Sequence, residues 1–289
     1  SSQQYTKEME EYNCAYQHWL KSTEEVKQKD PQASWKEIHK ICGECPWPQP
    51  VGWQSPFRPN GLHETMIRRI APYSLRGFLY YQGEEDVQRY ADYSDMMQML
   101  VKQWRMDWND WNLPFLFVQL PMYLADGEKD DSYWALQREQ QYIASMMIQN
   151  AGMISLADCG EYDNIHPLDK KTPGERLFQL AKNLVYDKQG TITATAAQLF
   201  SDNGKLYVTF DHLHEKLVMQ TANGCPFEIS GEDNLFYPAK ADVIHGNMLC
   251  ISNPAVKFPS AVKYAWYNFG EAALFTESGN PVSPFFKCV

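Results

Sequence analysis

Apolar positions recur along this chain in two rhythms. Up to about residue 190 they come at helical spacing, interrupted by short unbroken apolar runs. Beyond it they come in brief stretches divided by turns. Tyr5, Met9, Tyr12, Tyr16 and Trp19 recur every three or four residues among Glu, Gln and Lys, which predicts a helix over 3–28. Asp30-Pro31 ends it, because proline disfavours helix in the residue before it. A short helix is expected over 34–41. The stretch 42–61 is rich in Pro, Gly and Trp and reads as a long ordered loop. A helix over 62–71 is expected to bury Met66, Ile67 and Ile70. The uncharged runs 77–81, 115–120 and 153–156 read as strands, the first buried on both faces as in a parallel sheet. Helices over 87–104 and 133–149 separate them. A last helix is expected from Thr172, where Thr172-Pro-Gly-Glu175 has the form of a capping box with proline at the first helical position, to about Tyr186. Strands alternating with helices imply right-handed crossovers and a parallel sheet.

From Thr191 the texture is β-rich. Turn signals such as Asp202-Asn-Gly204, Asn223-Gly224 and Asn253-Pro254 arrive roughly every ten residues and suggest an antiparallel sandwich. The expected division is therefore an α/β domain over 1–190 and a β-sandwich over 191–289.

Composition narrows the function. The 289 residues carry a formal charge of -10, which argues against a nucleic-acid partner. No apolar run is long enough to span a bilayer, and the N-terminus lacks the pattern of a signal peptide, so a cytoplasmic protein without a membrane partner is expected. The seven cysteines are odd in number and irregular in spacing, as for free thiols in a reducing compartment. Cys42-Gly-Glu-Cys45 has only His39 nearby, and His212 and His214 stand two apart on a β-rich segment. Neither set makes a metal site, and no metal or cofactor is expected.

Two stretches carry candidate chemistry. The strand at 77–81 stops at Gln82-Gly83-Glu84, and in open α/β sheets ligands sit beyond the carboxyl ends of strands. The bland alternative is a strand-to-helix turn with an acidic helix start. Later, Asp163-Asn-Ile-His166-Pro167 lies between the third strand and the last helix. A catalytic imidazole needs an acceptor on one nitrogen, which an aspartate on the same loop can supply, and Pro167 restricts His166 to extended backbone.

These pieces in this order resemble the sialate O-acetylesterase family, carbohydrate esterases on the SGNH (GDSL-like) hydrolase fold. The resemblance is carried by R-P-N-G-L-H-E-T-M-I-R-R-I-A-P-Y-S-L-R-G-F-L-Y-Y-Q-G-E-E-D, W-N-L-P-F-L-F-V-Q-L, W-A-L-Q-R-E-Q-Q and D-N-I-H-P-L-D-K-K-T-P-G-E-R-L. In the tail it is carried by F-E-I-S-G-E-D-N-L-F-Y-P-A-K-A and V-K-Y-A-W-Y-N. It implies an SGNH-like parallel sheet flanked by helices, then a small antiparallel β-sandwich. It implies removal of O-acetyl groups from sialic acid or a related sugar, without cofactor. His166 would be the general base and Asp163 its support. Gln82 and Gly83 would belong to the oxyanion block and Glu84 would brace that loop. Arg138 would support the active-site loops or meet a substrate carboxylate, against a plain helix-surface salt bridge.

The family's serine block, of the form G-x-S-N-M, is not found here, and Ser55 in G-W-Q-S-P is rejected as its substitute. The chain reads as beginning after the first strands of the hydrolase domain, so a separate N-terminal polypeptide carrying the nucleophilic serine is the expected partner, docked on an open sheet edge. Rival readings are a non-catalytic glycan-binding or scaffold protein, and a glycosidase using Glu84, Glu85 or Glu139.

Overall fold

The structure is a computed structural model and describes residues 2–289. The chain divides into two compact units, Ser1–Tyr73 and Ser74–Val289.

In the first unit, α1 (Ser2–Lys29) and α2 (Trp35–Cys42) are helical where the spacing predicts. The aromatic stripe of α1 stacks more than it buries. Tyr12, Tyr16, Trp19 and Trp35 form a ladder of near-parallel rings 5.7–6.4 Å apart, and Lys27 Nζ lies 4.3 Å from the Trp35 ring centre. Ser34 and Glu37 cap α2 reciprocally, each side chain bonded to the other's backbone N–H. The expected helix over 62–71 is instead a π turn at His63–Ile67 followed by the single turn α3 (Arg68–Ile70). Met66 and Ile70 are exposed and not buried. The i→i+5 turn changes the angular step, so these residues leave a common buried stripe.

The second unit begins with β1 (Phe78–Tyr80), a 3₁₀ segment at Glu84–Asp92, and α4 (Tyr93–Asp107). Then come β2 (Phe115–Gln119), α5 (Tyr133–Met147), β3 (Ala151–Ser155) and α6 (Lys171–Leu184). The strands form a parallel sheet in the order β1-β2-β3. Alternation along β2 makes the layers. Phe115 and Phe117 face α4 and α5, with Tyr93, Met97, Val101, Ala144 and Ile148. Leu116 and Val118 face α6, with Leu177 and Leu180. Each such side chain contributes about 1.5–3 kcal/mol by burial. β1 is not buried on both faces as its apolar run suggests. Among the described residues it pairs with β2 alone, and Leu79 is 63% exposed. A short edge strand can place an apolar side chain outward without opening the core.

The start of α6 also departs from the expected capping box. The helix begins at Lys171, and Asp169 Oδ1 accepts from the backbone N–H groups of Lys171 and Thr172, both at 3.0 Å.

The remaining strands are β4 (Thr195–Asp202), β5 (Lys205–Asp211), β6 (Leu217–Met219), β7 (Phe227–Ser230) and β8 (Tyr237–Pro238). They continue with β9 (Lys240–Ile244), β10 (Met248–Ser252), β11 (Ala261–Tyr264), β12 (Leu274–Thr276) and β13 (Phe285–Cys288). Two four-stranded antiparallel sheets, β4-β5-β10-β9 and β13-β11-β7-β8, enclose a core containing Leu206, Val208, Ile229, Leu249, Val262 and Tyr264. The change from parallel to antiparallel pairing falls between β3 and β4, near the expected 190/191 boundary, yet both parts share one compact unit. The reason is visible in the core. Met122 and Ala157, from the loops after β2 and β3, belong to the sandwich's own cluster. No helix among the described residues is long and apolar enough to cross a membrane.

Candidate active site

Three segments leave the carboxyl ends of the parallel strands: 81–84 after β1, 120–126 after β2 and 156–168 after β3. They meet over a small apolar cluster of Val87, Leu120 and Trp134, on which Tyr81 and Ile165 both pack. Tyr81 is the neighbour of Gln82 and Ile165 the neighbour of His166. The two motifs, eighty residues apart in the chain, thus share one foundation.

The Gln82-Gly83 corner is built from behind. Gly83 has φ +139°, a conformation closed to other residues, and an added Cβ would sit 3.0 Å from Gln137 Nε2 and 3.1 Å from Gln141 Nε2. The Gln82 carbonyl accepts from Tyr93 Oη at 3.0 Å and from Gln141 Nε2 at 3.3 Å. Gln141 Oε1 in turn accepts from the Leu120 N–H at 2.8 Å, tying the corner to the end of β2. The Gln82 side chain turns toward α4. Its Nε2 donates to Asp86 Oδ2 at 2.6 Å, and its Oε1 accepts from Tyr80 Oη at 3.2 Å. There it lines a 220 Å³ cavity with Tyr80, Asp86, Tyr93 and Met97. Burial, then the nearby Asp86 and Glu84 carboxylates, push the Tyr80 hydroxyl up to about 12, so it stays a neutral donor. The Gln82 side-chain amide is occupied by Asp86, which leaves the backbone N–H groups as the corner's candidate donors. Glu84 is half-buried and opens the 3₁₀ segment.

The loop carrying His166 is built locally. His166 is exposed and Pro167 beside it is buried. The His166 N–H donates to Asn164 Oδ1 at 3.1 Å, an Asx turn. Asn164 Nδ2 donates to Glu161 Oε2 at 2.7 Å, and Glu161 Oε1 accepts from the Leu168 N–H at 2.6 Å. Asp163, at φ +58°, bonds away from the imidazole: its N–H donates to the Leu124 carbonyl and its Oδ1 accepts from the Asp126 N–H at 2.8 Å. No hydrogen bond joins the Asp163 carboxylate to the His166 ring in this structure. Deeper in the loop, Arg176 clamps Asp158 with two 2.7 Å bonds. Cys159, pushed up to about 12 by burial and then by Asp158, is a thiol and not a thiolate.

Arg138 lies apart from solvent. It is 1% exposed, and its Nη2 donates to the Tyr267 carbonyl, while Nε and Nη1 have no hydrogen-bond partner among the described residues. Burial lowers its pKa to about 10. A helix-surface salt bridge does not describe this residue, and neither does a guanidinium open to a substrate carboxylate. It fastens α5 to the sandwich. Around it, Gln119 Oε1 accepts from Ser283 Oγ at 3.0 Å and Gln119 Nε2 donates to the Arg138 carbonyl at 3.1 Å. Asn268 Oδ1 accepts from the Trp134 N–H, and Asn268 Nδ2 donates to Asp131. Tyr162 meets Phe269 edge-on at 5.6 Å. The sandwich therefore braces the loops that carry the candidate site.

Glu139 lines a different 220 Å³ cavity, with Tyr142, Trp266, Phe286 and Lys287, which Glu84 and Glu85 do not line. Ser55 is buried, its Oγ accepting from the Phe57 N–H at 3.1 Å, as a turn-forming hydroxyl does. His212 and His214 line a 580 Å³ polar cleft beside Lys182 and Glu215. No group of three or more metal-ligating side chains is found among the described residues. The clamp residues Glu161 and Asn164 and the pair Gln137 and Gln141 were not singled out from sequence. The signals were faint: an Asn two before a His, and two Gln one turn apart on a half-apolar helix.

A three-layer α/β/α sheet with its loops gathered at the strands' carboxyl ends, continued by a β-rich part, is the architecture of an SGNH-like hydrolase. A crystal structure of a carbohydrate acetylesterase from Xanthomonas citri shares it, with a TM-score of 0.71 and 30% identity, covering 78% of this chain and 53% of that one. Residues 50–183 match a family model described as carbohydrate esterase, sialic acid-specific acetylesterase. The sialate O-acetylesterase of Mus musculus is 26% identical over 260 residues, covering 80% of this chain and 47% of the relative. That of Rattus norvegicus is 26% identical over 254 residues, covering 78% and 46%. The chain is similar to the sialate O-acetylesterase family of carbohydrate esterases, with the family-model match confined to residues 50–183. It spans about half the length of the curated relatives it matches.

Proposed function

We propose that this chain supplies the base and the oxyanion corner of an esterase that removes O-acetyl groups from sialic acid or a related sugar. The observation that carries the reading is the shared packing of Tyr81 and Ile165 on one cluster, which sets Gln82-Gly83 and His166 at the same end of the sheet. His166 takes the proton of a serine hydroxyl as its oxygen attacks the acetyl carbonyl. The Gly83 N–H faces the developing oxyanion. The C–O bond to the sugar breaks, and the sugar oxygen takes the proton from His166. Water then attacks the acetyl-enzyme with the same base, releasing acetate and restoring the serine. Asp163 Oδ2, which has no hydrogen bond to a described residue, is the acceptor for the other ring N–H once the serine is engaged. Catalytic hydrogen bonds commonly tighten only in the complex.

The serine in this reading comes from a segment outside this chain, either the remainder of a longer polypeptide or a separate one. The His166 ring has no hydrogen bond with a described serine, and the G-x-S-N-M block is not in the sequence. The free edge of β1, with Leu79 outward, is where such a segment would add. If the chain proves monomeric and fully active alone, this part fails.

The test is turnover of an O-acetylated sugar by the chain with and without the serine-bearing segment. His166→Ala is expected to lower the rate by about 10²–10⁴-fold, and a full rate in that variant overturns the mechanism. The missing serine partner favours one other reading, a glycan-binding or scaffold protein, which binding without turnover in both arms selects.

A further inference from the structure

We propose that Glu161 is a positioning residue for the reaction, acting through Asn164 to aim His166. The inference rests on the reading of His166 as the base. A general base works only when its ring nitrogen meets the reacting hydroxyl, and a misplacement of 1 Å can cost about 10²-fold in rate. His166 is exposed and its ring has no hydrogen bond to a described side chain, so the hold on this residue runs through the backbone that carries it. That backbone is fixed by one short network. The Asn164 amide reads it from both sides: Oδ1 takes the His166 N–H, and Nδ2 gives to Glu161 Oε2. Glu161 Oε1 takes the Leu168 N–H at 2.6 Å, two residues beyond the imidazole. Glu161 also forms an antiparallel bridge with Asn164. The carboxylate therefore closes a ring around His166, with one oxygen upstream of it and one downstream. Both oxygens act as acceptors, which only a carboxylate at this position supplies. Asp158 and Arg176 anchor the root of the loop, and Pro167 is buried, so the clamp acts on a short exposed arc with a fixed base.

The polarity of the Glu161–Asn164 contact makes the inference testable by exchange. Asn164→Asp keeps the acceptor for the His166 N–H but sets two carboxylates face to face. Glu161→Gln keeps the acceptor for Leu168 but sets two amide N–H groups face to face. In the double variant Glu161→Gln/Asn164→Asp, the new amide donates to the new carboxylate and the contact is restored with its direction reversed.

Two readouts decide. In this chain, each single variant loses the Glu161–Asn164 hydrogen bond that holds both acceptors in place, so amide hydrogen exchange at His166 and Leu168 is expected to speed by about tenfold and to recover in the double. In the chain supplied with its serine segment, each single variant is expected to lower kcat by about 10–100-fold with KM within about twofold, and the double to recover to within about threefold. Unchanged exchange at His166, unchanged kcat, or additive losses in the double overturn the inference. His166→Ala separates the two levels. If it is inactive while the Glu161 and Asn164 variants are normal, only the clamp is wrong. If it is fully active, the base assignment has failed and the exchange data still judge the clamp.

Discussion

The corner at Gln82-Gly83 and the loop at His166 serve one end of one sheet, yet they are held in opposite ways. The corner is held by residues far off in the chain. Tyr93, Gln137 and Gln141 press on it from the interior, and Gln141 alone bridges it to Leu120. The loop is held mostly by its own residues, through Glu161, Asn164 and Leu168, on the surface. The difference has an energetic meaning. Buried polar contacts cost the full desolvation of whichever partner is orphaned, whereas exposed ones can be replaced by water. Damage to the corner should therefore appear as lost stability, and damage to the loop as lost activity in a protein that still folds.

The largest expected effect is at Gln141. Gln141→Leu orphans the Leu120 N–H and removes one of the two donors to the Gln82 carbonyl. Denaturant unfolding should show a loss of about 2–4 kcal/mol. A loss under 1 kcal/mol would break the contrast between the two regions. Gly83→Ala comes next. Its Cβ meets two buried amides at a backbone angle only glycine favours, and about 1–3 kcal/mol of strain is expected in the same measurement. The smallest effect sharpens the loop side. The Thr172 hydroxyl and backbone N–H hold the Asp169 carboxyl below its usual range. A carboxyl with a depressed folded pKa contributes stability above its unfolded pKa, and that contribution fades as pH falls through the folded value. Asp169→Asn should thus lower the melting temperature slightly at pH 7. The gap to the parent protein should close below about pH 4, near the usual carboxylate value. A gap that widens on acidification would reverse the assignment.

Much of the parallel sheet was readable in the chain, because an unbroken run such as Phe-Leu-Phe-Val at 115–118 has few other places to go. The turn at 63–67 was not, since the composition of a π turn matches that of an α-helix and the difference lies in which carbonyl each N–H chooses. Leu79 misled for a related reason: hydrophobicity says what a side chain prefers, while exposure depends on which strand lies next to it. The placing of D-x-x-H and Q-G-E beyond the ends of strands was legible, as was the family resemblance, because each motif follows an apolar run. Their partners were not. Asp163 turns to the Asp126 N–H, 37 positions back, through loops whose paths no local pattern encodes, and Gln82 turns to Asp86 four residues on only because a 3₁₀ segment follows it. Arg138 reads as an ordinary helix charge until Tyr267, 129 positions later, is seen to receive it.

Met122 and Ala157 leave the strands of one layer system and finish inside the heart of the other. A module joined in this manner cannot be traded for an unrelated one by cutting at the linker, since the graft would strip both side chains of their surroundings and unseat the loops that contain them. Recombination within the lineage would then have to carry the two parts together, and differences among descendants should collect in the outward turns of the sandwich, not in the seam.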